Sequence, residues 1–369
     1  MKTVRRFISS QPVLAAAFAA ALVTVFIVPP DREYIGYVNR TVLIQLFGLM
    51  TAVAGLRSAG IFDSATRYLL QKTGNIRKLG LFFVFICYFS AMIVTNDVAL
   101  ITFVPLTLLI YKQIDDEKSR ILTIVLETIA ANMGSMMTPV GNPQNLFLYD
   151  QYKLSAMTFL KMTLPAGLIS LAILIVLTRL LPAEKCNAPE NITQKIPVYK
   201  TAVYALLFVV CLLSVFRVIP DYICLAAAIV AALITEPKLL GKADYPLLLT
   251  FVCFFVFVGN IARISSVRDM LSQLIGGREI LSGAILSQFI SNVPAAVMLA
   301  GFTDNGTKLL LGVNIGGMGT LIASLASLIS FQFYRKEGNA QPGKYMAVFS
   351  VTGFAMLALL LILCCLIYQ

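Results

Sequence analysis

The sequence predicts an all-α polytopic membrane protein made of two repeats with inverted topology. Of its 369 residues, 59% are hydrophobic and only 13% are charged, which is too apolar for a soluble domain of this size. Apolar runs of membrane-spanning length recur from one end of the chain to the other. In each half, two further apolar segments are interrupted by polar residues, in the same order. We therefore expect one multi-pass membrane domain whose halves share a plan.

Seven uninterrupted apolar runs are predicted to cross the membrane as helices, at residues 13–29, 42–56, 162–181, 201–216, 222–235, 245–260 and 345–368. The basic N-terminus also fits a signal peptide. The length of the first run and the spans that follow it favour an uncleaved helix with a cytoplasmic N-terminus. The polar stretch 183–200 is predicted to be a cytoplasmic linker between a first repeat, residues 1–182, and a second, residues 201–369.

Residues 79–111 form an apolar segment that is interrupted at Thr95, Asn96 and Asp97. Its arms of 16 and 14 residues would reach only about 24 and 21 Å, short of a hydrocarbon core of roughly 30 Å. Basic residues flank the segment at both ends, which favours both ends lying on one side of the membrane. The pattern predicts a re-entrant hairpin with its tip at the middle of the membrane.

A second re-entrant hairpin is predicted at residues 279–303, interrupted at 291–294 ("SNVP"), with arms of 12 and 9 residues. Each hairpin follows a short amphipathic stretch, at 59–73 and at 265–275, whose apolar residues share one helical face. Such helices lie along the membrane interface, so we expect each repeat to have an interfacial arm helix.

Each hairpin is followed by a predicted broken transmembrane helix, at residues 121–149 and 308–333. The first contains "TPVGNPQNL" (138–146), whose prolines, glycine and amides interrupt a helix. A shift of 182 residues lays "NMGSMMT" (132–138) on "NIGGMGT" (314–320), which indicates an internal repeat. Broken backbone at membrane depth is tolerated where it lines a polar or ion-filled site, and inverted repeats place their sites where such helices meet.

The two tips and the two breaks are predicted to converge on one substrate and ion site. The candidate residues are Thr95, Asn96, Asp97, Asn132, Thr138, Gly141, Asn142 and Asn145 in the first repeat, and Ser291, Asn292, Asn314, Gly316 and Thr320 in the second. Helix N-termini offer N–H groups to an anion, and freed carbonyls with Asn and Thr oxygens suit Na⁺. Possible Na⁺ positions are near Asn96, Asp97 and Asn142, and near Asn292 and Thr320. The alternative is that each asparagine only caps a helix end.

Two carboxylates fall within apolar segments. Asp97 is an ionisable group at membrane depth, which marks it as a candidate for Na⁺ binding or proton transfer, with a structural capping role as the alternative. Glu127 lies about two helical turns from Arg120 and two and a half from Lys118. A side chain reaching back to the interface is therefore as good an interpretation of Glu127 as a coupling role.

The segments "TNDVALITFVPL", "NMGSMMTPVGNPQNL" and "SNVPAAVML" resemble the signature segments of the ion transporter superfamily. That group includes arsenite permeases, citrate and dicarboxylate carriers, and some sodium/proton antiporters. The resemblance implies a homodimer with a scaffold domain and a transport domain that moves like an elevator. Dicarboxylate carriers of the group carry Ser-Asn-Thr at both tips. Val293 and Asp97 depart from that pattern here and weaken a dicarboxylate interpretation.

We therefore expect a secondary active transporter of a small anion or oxyanion, coupled to Na⁺ or H⁺, in the inner (cytoplasmic) membrane of the cell. The alternatives are a sodium/proton antiporter, or an arsenite efflux permease working with a soluble ATPase. We expect no enzyme, because an intramembrane aspartyl protease needs paired carboxylates and the chain has no P-loop. The formal charge of +11 resides mostly in loops and does not indicate nucleic-acid binding. We expect no cofactor apart from Na⁺ as a possible coupling ion.

Overall fold

The computed structural model describes residues 11–60, 74–114, 116–185 and 197–368, and these residues are mostly helical. The first repeat contains α1 (Pro12–Ile27), α2 (Tyr34–Tyr37), α3 (Arg40–Ser58), α4 (Ile76–Val94), α5 (Asn96–Ile114), α6 (Glu117–Ser135), α7 (Pro143–Gln151) and α8 (Ala156–Leu177). The second contains α9 (Val198–Val215), α10 (Asp221–Thr235), α11 (Tyr245–Ala262), α12 (Ser265–Ile275), α13 (Glu279–Ile290), α14 (Asn292–Ala300), α15 (Gly306–Ile315), α16 (Leu325–Arg335) and α17 (Pro342–Ile367). Short 3-10 turns lie at Thr178–Leu180, Pro237–Lys242 and Leu321–Ala323.

Each of the seven uninterrupted apolar runs forms one helix, namely α1, α3, α8, α9, α10, α11 and α17. Among the described residues, six helices are long and apolar enough to cross a membrane: α3, α4, α8, α9, α11 and α17. The second predicted arm helix is confirmed as α12. The first, at 59–73, lies mostly outside the described residues, as does most of the predicted linker.

The predicted lengths of the first hairpin were wrong. Helices α4 and α5 have 19 residues each, or about 28 Å at 1.5 Å per residue, instead of 16 and 14. The prediction stopped each arm at its last apolar residue, whereas a helix continues through basic residues such as Arg77 and Lys78. Asn75 caps α4 by accepting a hydrogen bond from the Lys78 N–H at 2.8 Å. The second hairpin has helices of 12 and 9 residues, which are the predicted lengths, but α14 begins at Asn292, within the predicted interruption at 291–294.

Each hairpin turns at one non-glycine residue with a positive φ. Thr95 has φ 81° and ψ 151°, and Ser291 has φ 76° and ψ 152°. This region of backbone conformation is otherwise almost restricted to glycine, and a residue held there stores about 1–3 kcal/mol of strain. The same strained link in both repeats is a structural equivalence that short sequence matching did not detect.

The open ends of the two hairpins lie at opposite ends of the helix bundle. We call one the linker end, defined by residues 181–185; there the Ile76 N–H donates to the Glu184 carbonyl at 3.0 Å. We call the other the far end, defined by residues 151–155; there the Tyr152 hydroxyl donates to the Thr303 carbonyl at 2.8 Å. Helix α8 separates these two ends with 22 residues, about 33 Å of rise. The repeats are therefore inverted with respect to each other.

The breaks differ from the prediction in their extent. The first break covers residues 136–142, because Pro143 begins α7 at a position where its missing N–H is not needed. The prediction that 143–146 is unwound was therefore wrong. Asn142 caps α7 by accepting from the Asn145 N–H at 3.0 Å. The second break covers residues 316–320 and is followed by a 3-10 turn.

Gly134 and Gly316, which the shift of 182 residues matches, have the same packing role in the two repeats. A Cβ on Gly134 would lie 2.0 Å from the Tyr88 carbonyl oxygen of α4. A Cβ on Gly316 would lie 2.7 Å from the Ala284 Cα of α13. In both repeats the broken helix thus touches the first helix of its hairpin backbone to backbone, which only glycine permits.

Two hydrophobic cores organise the bundle. One joins the first hairpin to α6, α8, α16 and α17. The other joins α3, α9, α10 and α11 to α7 and α14, with Phe147 of α7 packed 5.6 Å from Phe255 of α11 between ring centroids. Helices α1, α3, α9, α10 and α11 also pack among themselves. The second core is therefore the contact between these outer helices and the helices that carry the tips and breaks.

Candidate substrate and ion site

The two breaks face each other through three asparagines. The Asn142 amide donates from Nδ2 to Oδ1 of Asn314 at 3.0 Å. Asn314 in turn donates from Nδ2 to Oδ1 of Asn145 at 2.6 Å. All three side chains are at least 97% buried, so water cannot reach their amide groups. These hydrogen bonds satisfy the amides instead. This chain of amides links the first repeat directly to the second.

The first hairpin tip is bonded to the first break and, through it, to the second repeat. The Asn96 N–H donates to the Gly141 carbonyl at 3.1 Å, and its Nδ2 donates to Oδ1 of Asn132 at 2.9 Å. That Asn132 oxygen also accepts from the Ser324 hydroxyl at 3.0 Å. Asn132 donates onward to Ser327 at 3.2 Å. The structure thus brings Asn96 and Asn132 together as predicted, with two serines that sequence reasoning missed.

Three predicted residues build the first break itself. Asn145 donates from Nδ2 to the Thr138 carbonyl at 3.0 Å and to the Ser135 carbonyl at 3.1 Å. The Thr138 hydroxyl donates to the Met92 carbonyl at 2.5 Å. A Cβ on Gly141 would lie 2.1 Å from the Ser135 carbonyl oxygen. These contacts hold the unwound segment in one shape, which is the structural role that a buried loop requires.

The second tip and break are joined by a residue that sequence reasoning missed. Gln288 donates from Nε2 to the Gly316 carbonyl at 2.7 Å and accepts from the Thr320 N–H at 3.0 Å. The Thr320 hydroxyl donates to the Gln288 carbonyl at 3.0 Å. Asn292 is 5% exposed and accepts from the Ser291 hydroxyl at 3.4 Å. Gln288 lies four residues before Asn292 in the sequence, and this spacing is the signal that could have identified Gln288.

A cavity of about 760 Å³ borders the first tip and the first break but not the second tip. Its polar lining consists of Arg57, Ser58, Thr95, Asp97, Asn142, Lys242 and Asp244. Helix α3 and the start of α11 form the apolar wall. Arg57, Lys242 and Asp244 are exposed, so the cavity reaches the surface at the linker end. Sequence reasoning found no cation at the tips or breaks, and it missed that α3 and the loop before α11 bring two cations to the same cavity.

At the far end, side-chain contacts tie α3 and the segment after α9 to α7. Asn39, which caps α3, donates to the Asp150 carboxylate at 2.8 Å. Arg217 donates to the Tyr149 carbonyl at 2.7 Å and lies 4.7 Å above the Tyr149 ring. Since α3 runs from Arg40 at this end to Arg57 at the other, the structure is tied at one end and open at the other.

Glu127 does not reach the interface. Its side chain has no exposed surface, and it accepts a hydrogen bond from the Thr107 hydroxyl of α5. Arg120, two turns earlier on α6, pairs instead with Glu117. The interpretation of Glu127 as a residue that reaches back to water was therefore wrong, because α4, α5 and α17 enclose this part of α6.

The described residues contain no group of three or more His, Cys, Asp or Glu side chains that could hold a metal ion. The candidate ion ligands are therefore amide, hydroxyl and carbonyl oxygens together with Asp97. Such oxygens match a hard monovalent cation better than a transition metal.

A polytopic helical bundle with paired broken helices around a buried polar site defines a membrane transporter. The chain belongs to the citrate transporter family, whose family model matches residues 7–305. It thereby belongs to the ion transporter superfamily that its tips and breaks resemble.

Two curated relatives and one solved structure agree with this assignment. An uncharacterized transporter of Methanocaldococcus jannaschii is 32% identical over 307 residues, covering 83% of this chain and 84% of the relative. The inner membrane protein YbiR of Escherichia coli is 29% identical over 304 residues, covering 79% and 78%. The crystal structure of the YdaH transporter of Alcanivorax borkumensis, described as having an unusual topology, has the same fold with a TM-score of 0.59, 13% identity and coverage of 90% and 86%.

Proposed function

We propose that this transporter carries a small anion by secondary active transport, coupled to Na⁺ or H⁺. The observation that carries the proposal is the cavity of about 760 Å³, which reaches from the linker end to Asp97 and Asn142. The far end is closed by the Asn39–Asp150 and Arg217–Tyr149 contacts. A site accessible from only one end is what alternating access requires of each of its states.

Two features of the cavity suit an anion. Arg57 and Lys242 bring positive charge to its mouth. Helix α7 begins at Pro143 beside Asn142, and helix α5 begins at Asn96, so two helix N-termini point toward the first tip and break. Backbone N–H groups at a helix N-terminus attract negative charge. The name of the family model makes citrate the first anion to test.

The coupling ion is proposed to bind beside the tips. One position lies near Asn96, Asp97 and Asn142, where the Asp97 carboxylate and the Asn142 side chain border the cavity. A second lies near Asn292 and Thr320, where the ligands are neutral. We infer that the two positions are unequal, since only the first has a charged ligand.

The packing supports a proposed movement. Helices α1, α3, α9, α10 and α11 are proposed to be the scaffold and the dimer-forming part of a homodimer, and the hairpins with the broken helices are proposed to move as an elevator. The linker end is proposed to be cytoplasmic, which makes this an inward-facing state with re-entrant hairpins. The interface that would slide is the second hydrophobic core, where Phe147 meets Phe251 and Phe255.

The test is uptake by purified protein in proteoliposomes, with labelled citrate offered under a Na⁺ gradient, a proton gradient, or neither. We expect uphill accumulation under at least one gradient. Replacing Arg57 by methionine should raise the KM for citrate several-fold, whereas Arg179→Met, an exposed cation at the end of α8, should not. Absence of gradient-driven uptake of citrate and of other small carboxylates and oxyanions would refute the proposal.

A sodium/proton antiporter is the second candidate, because the membrane region holds two carboxylates, Asp97 and Glu127, that an antiporter needs for exchange. Dissipation of a proton gradient by added Na⁺, with no anion dependence, would favour it. Arsenite efflux with a soluble ATPase is tested by the same liposomes loaded with arsenite, in the presence and absence of a proton gradient.

A further inference from the structure

Glu127 is a buried carboxylate that the proposed substrate cavity does not use. It lies on α6 with no exposed surface, and Oε1 accepts the Thr107 hydroxyl. Its other oxygen, Oε2, is buried and has no hydrogen-bond partner. An ionised carboxylate in an apolar surrounding is costly, so such a side chain calls for a compensating cation or a proton.

The groups that face Glu127 supply no cation. Cys87 of α4 and Tyr345 of α17 lie within electrostatic range of it, and both are fully buried. Thr107 of α5 is the hydrogen-bond donor. Arg120, on the same helix, is paired with Glu117. Among the described residues no basic side chain compensates Glu127, and a proton bound to its own carboxylate would do so without further ligands.

A line of hydroxyls connects Glu127 to the linker end. A polar pocket of about 430 Å³ there is lined by Tyr111, Asp116, Glu117, Arg120, Glu337, Gly338, Asn339 and Gln341. Tyr111 shares a hydrogen bond with the Thr123 hydroxyl at 2.7 Å. Thr123 lies one turn before Glu127 on α6, and Tyr111 lies one turn after Thr107 on α5. Each remaining step is about 6 Å along a helix, a gap that one bridging water can span.

We propose that Glu127 is a proton-binding site, loaded from the linker end through the polar pocket and the Tyr111–Thr123 hydroxyl pair. In the loading step a proton from water in the pocket passes along the hydroxyls, and an O–H bond forms on the carboxylate. Release reverses the step. No electron transfer or other reactant is involved, and one positive charge enters the bundle with each proton.

The site is separate from the substrate cavity, since Glu127, Thr107 and Thr123 do not line it. It lies in the first hydrophobic core, between the first hairpin and its broken helix. Its use as the coupling site rests on the transport function proposed above, whereas the binding of a proton does not. Protonation of Glu127 removes a charge from the body that would move, which is how proton binding can favour its movement.

The proton site is tested without any substrate, by pH-difference infrared spectroscopy of the purified protein in liposomes. Wild type should show a buried carboxylic acid band that changes with pH, and Glu127→Gln should remove it. Glu279→Gln is the matched control and should leave the Glu127 band in place. Glu279 is likewise buried, at 4% exposed, and has one oxygen without a hydrogen-bond partner, but it lies at the far end. A spectrum unchanged by Glu127→Gln, or a Glu127 band that never changes with pH, would overturn the proposal.

Two further variants keep the test decisive if Glu127→Gln does not fold. Thr107→Val should shift the band, because it removes the hydrogen bond to the carboxyl group. Thr123→Val should slow hydrogen–deuterium exchange of the band several-fold, because it interrupts the route from the pocket. An unchanged band position in the first variant and an unchanged exchange rate in the second would refute the site and the route respectively. Citrate transport can fail without affecting any of these results, so the two proposals fail separately.

Discussion

Thr95 and Ser291 occupy the tips of the two hairpins with backbone angles that differ by only a few degrees. Their surroundings are different. The first tip borders the large cavity and is bonded to Gly141 and Asn132, while the second lies outside the cavity, beside Gly317. The residue two positions after the turn is Asp97 in one and Val293 in the other.

The two repeats therefore share the same backbone turn at the hairpin tip but differ in the polar and charged residues around it. A strained one-residue turn followed by asparagine is present in both. The charged tip residue and the contact of a tip with the cavity belong to the first repeat. Asn314, Ser324 and Ser327 of the second repeat form hydrogen bonds with Asn142 and Asn132 of the first repeat. They thus complete the polar cluster of the first repeat.

The largest expected effect concerns sidedness. Cysteines at Lys78 and Lys118, which flank the first hairpin, should react with an impermeant thiol reagent from the cytoplasm only. Cysteines at Arg278 and Asp304, which flank the second, should react from outside only. These four positions are polar, lie at the helix ends and are exposed, so substitution should be tolerated. Labelling of Lys78 and Lys118 from opposite sides would end the description of inverted, re-entrant hairpins.

The tip asparagines should differ in stability but not in activity. Asn96→Ala and Asn292→Ala should each abolish gradient-driven uptake. Asn96→Ala should also lower the free energy of unfolding by about 1–3 kcal/mol, because it removes the bond to Asn132. Asn292→Ala should cost less, since its recorded bond is a single long one to Ser291. Thermal unfolding in detergent measures this difference, and normal transport by both variants would reduce the two residues to helix caps.

Asp97 should separate coupling from substrate binding. Asp97→Asn keeps the shape and most hydrogen bonds of the side chain but removes its charge. We expect loss of uphill accumulation with counterflow retained, since the helix N-termini that face the anion are unchanged. Gradient-driven uptake and counterflow are measured in the same liposomes, with the exposed Asp304→Asn as control. Uphill accumulation at the wild-type level would move coupling away from the first tip.

The smallest expected effect is on strain. Thr95→Gly and Ser291→Gly should each change the free energy of unfolding by only about 1 kcal/mol, in the stabilising direction, because relief of backbone strain exceeds the entropy cost of glycine. Equal shifts in melting temperature would support equivalent tips. A loss of stability in only one of the two would show that its side chain, and not its backbone, holds that hairpin.

Much of the fold followed from periodicity and apolar length. All seven apolar runs form helices, five of which are long enough to cross a membrane, and the arm at 265–275 is helical as predicted. The two helices of the second hairpin have the predicted lengths, but the second begins at Asn292, within the predicted interruption. The first hairpin was misjudged because apolar length was taken for helix length, although capping by Asn75 and not hydrophobicity determines where α4 begins. Pro143 was assigned to the unwound segment because proline breaks a helix interior, whereas here it begins a helix.

The sequence by itself determined that the chain is a membrane protein, where its helices break, and that its polar residues cluster at tips and breaks, because these depend on local composition and spacing. Only the tertiary structure decided which polar groups meet. Asn142 and Asn314 are 172 positions apart. Arg57 at the end of α3 and Lys242 in the 3-10 turn before α11 line the same cavity as Asp97, which their local sequence does not indicate. Contacts of that kind depend on the packing of distant helices, whereas local spacing fixes only which face of one helix a residue occupies.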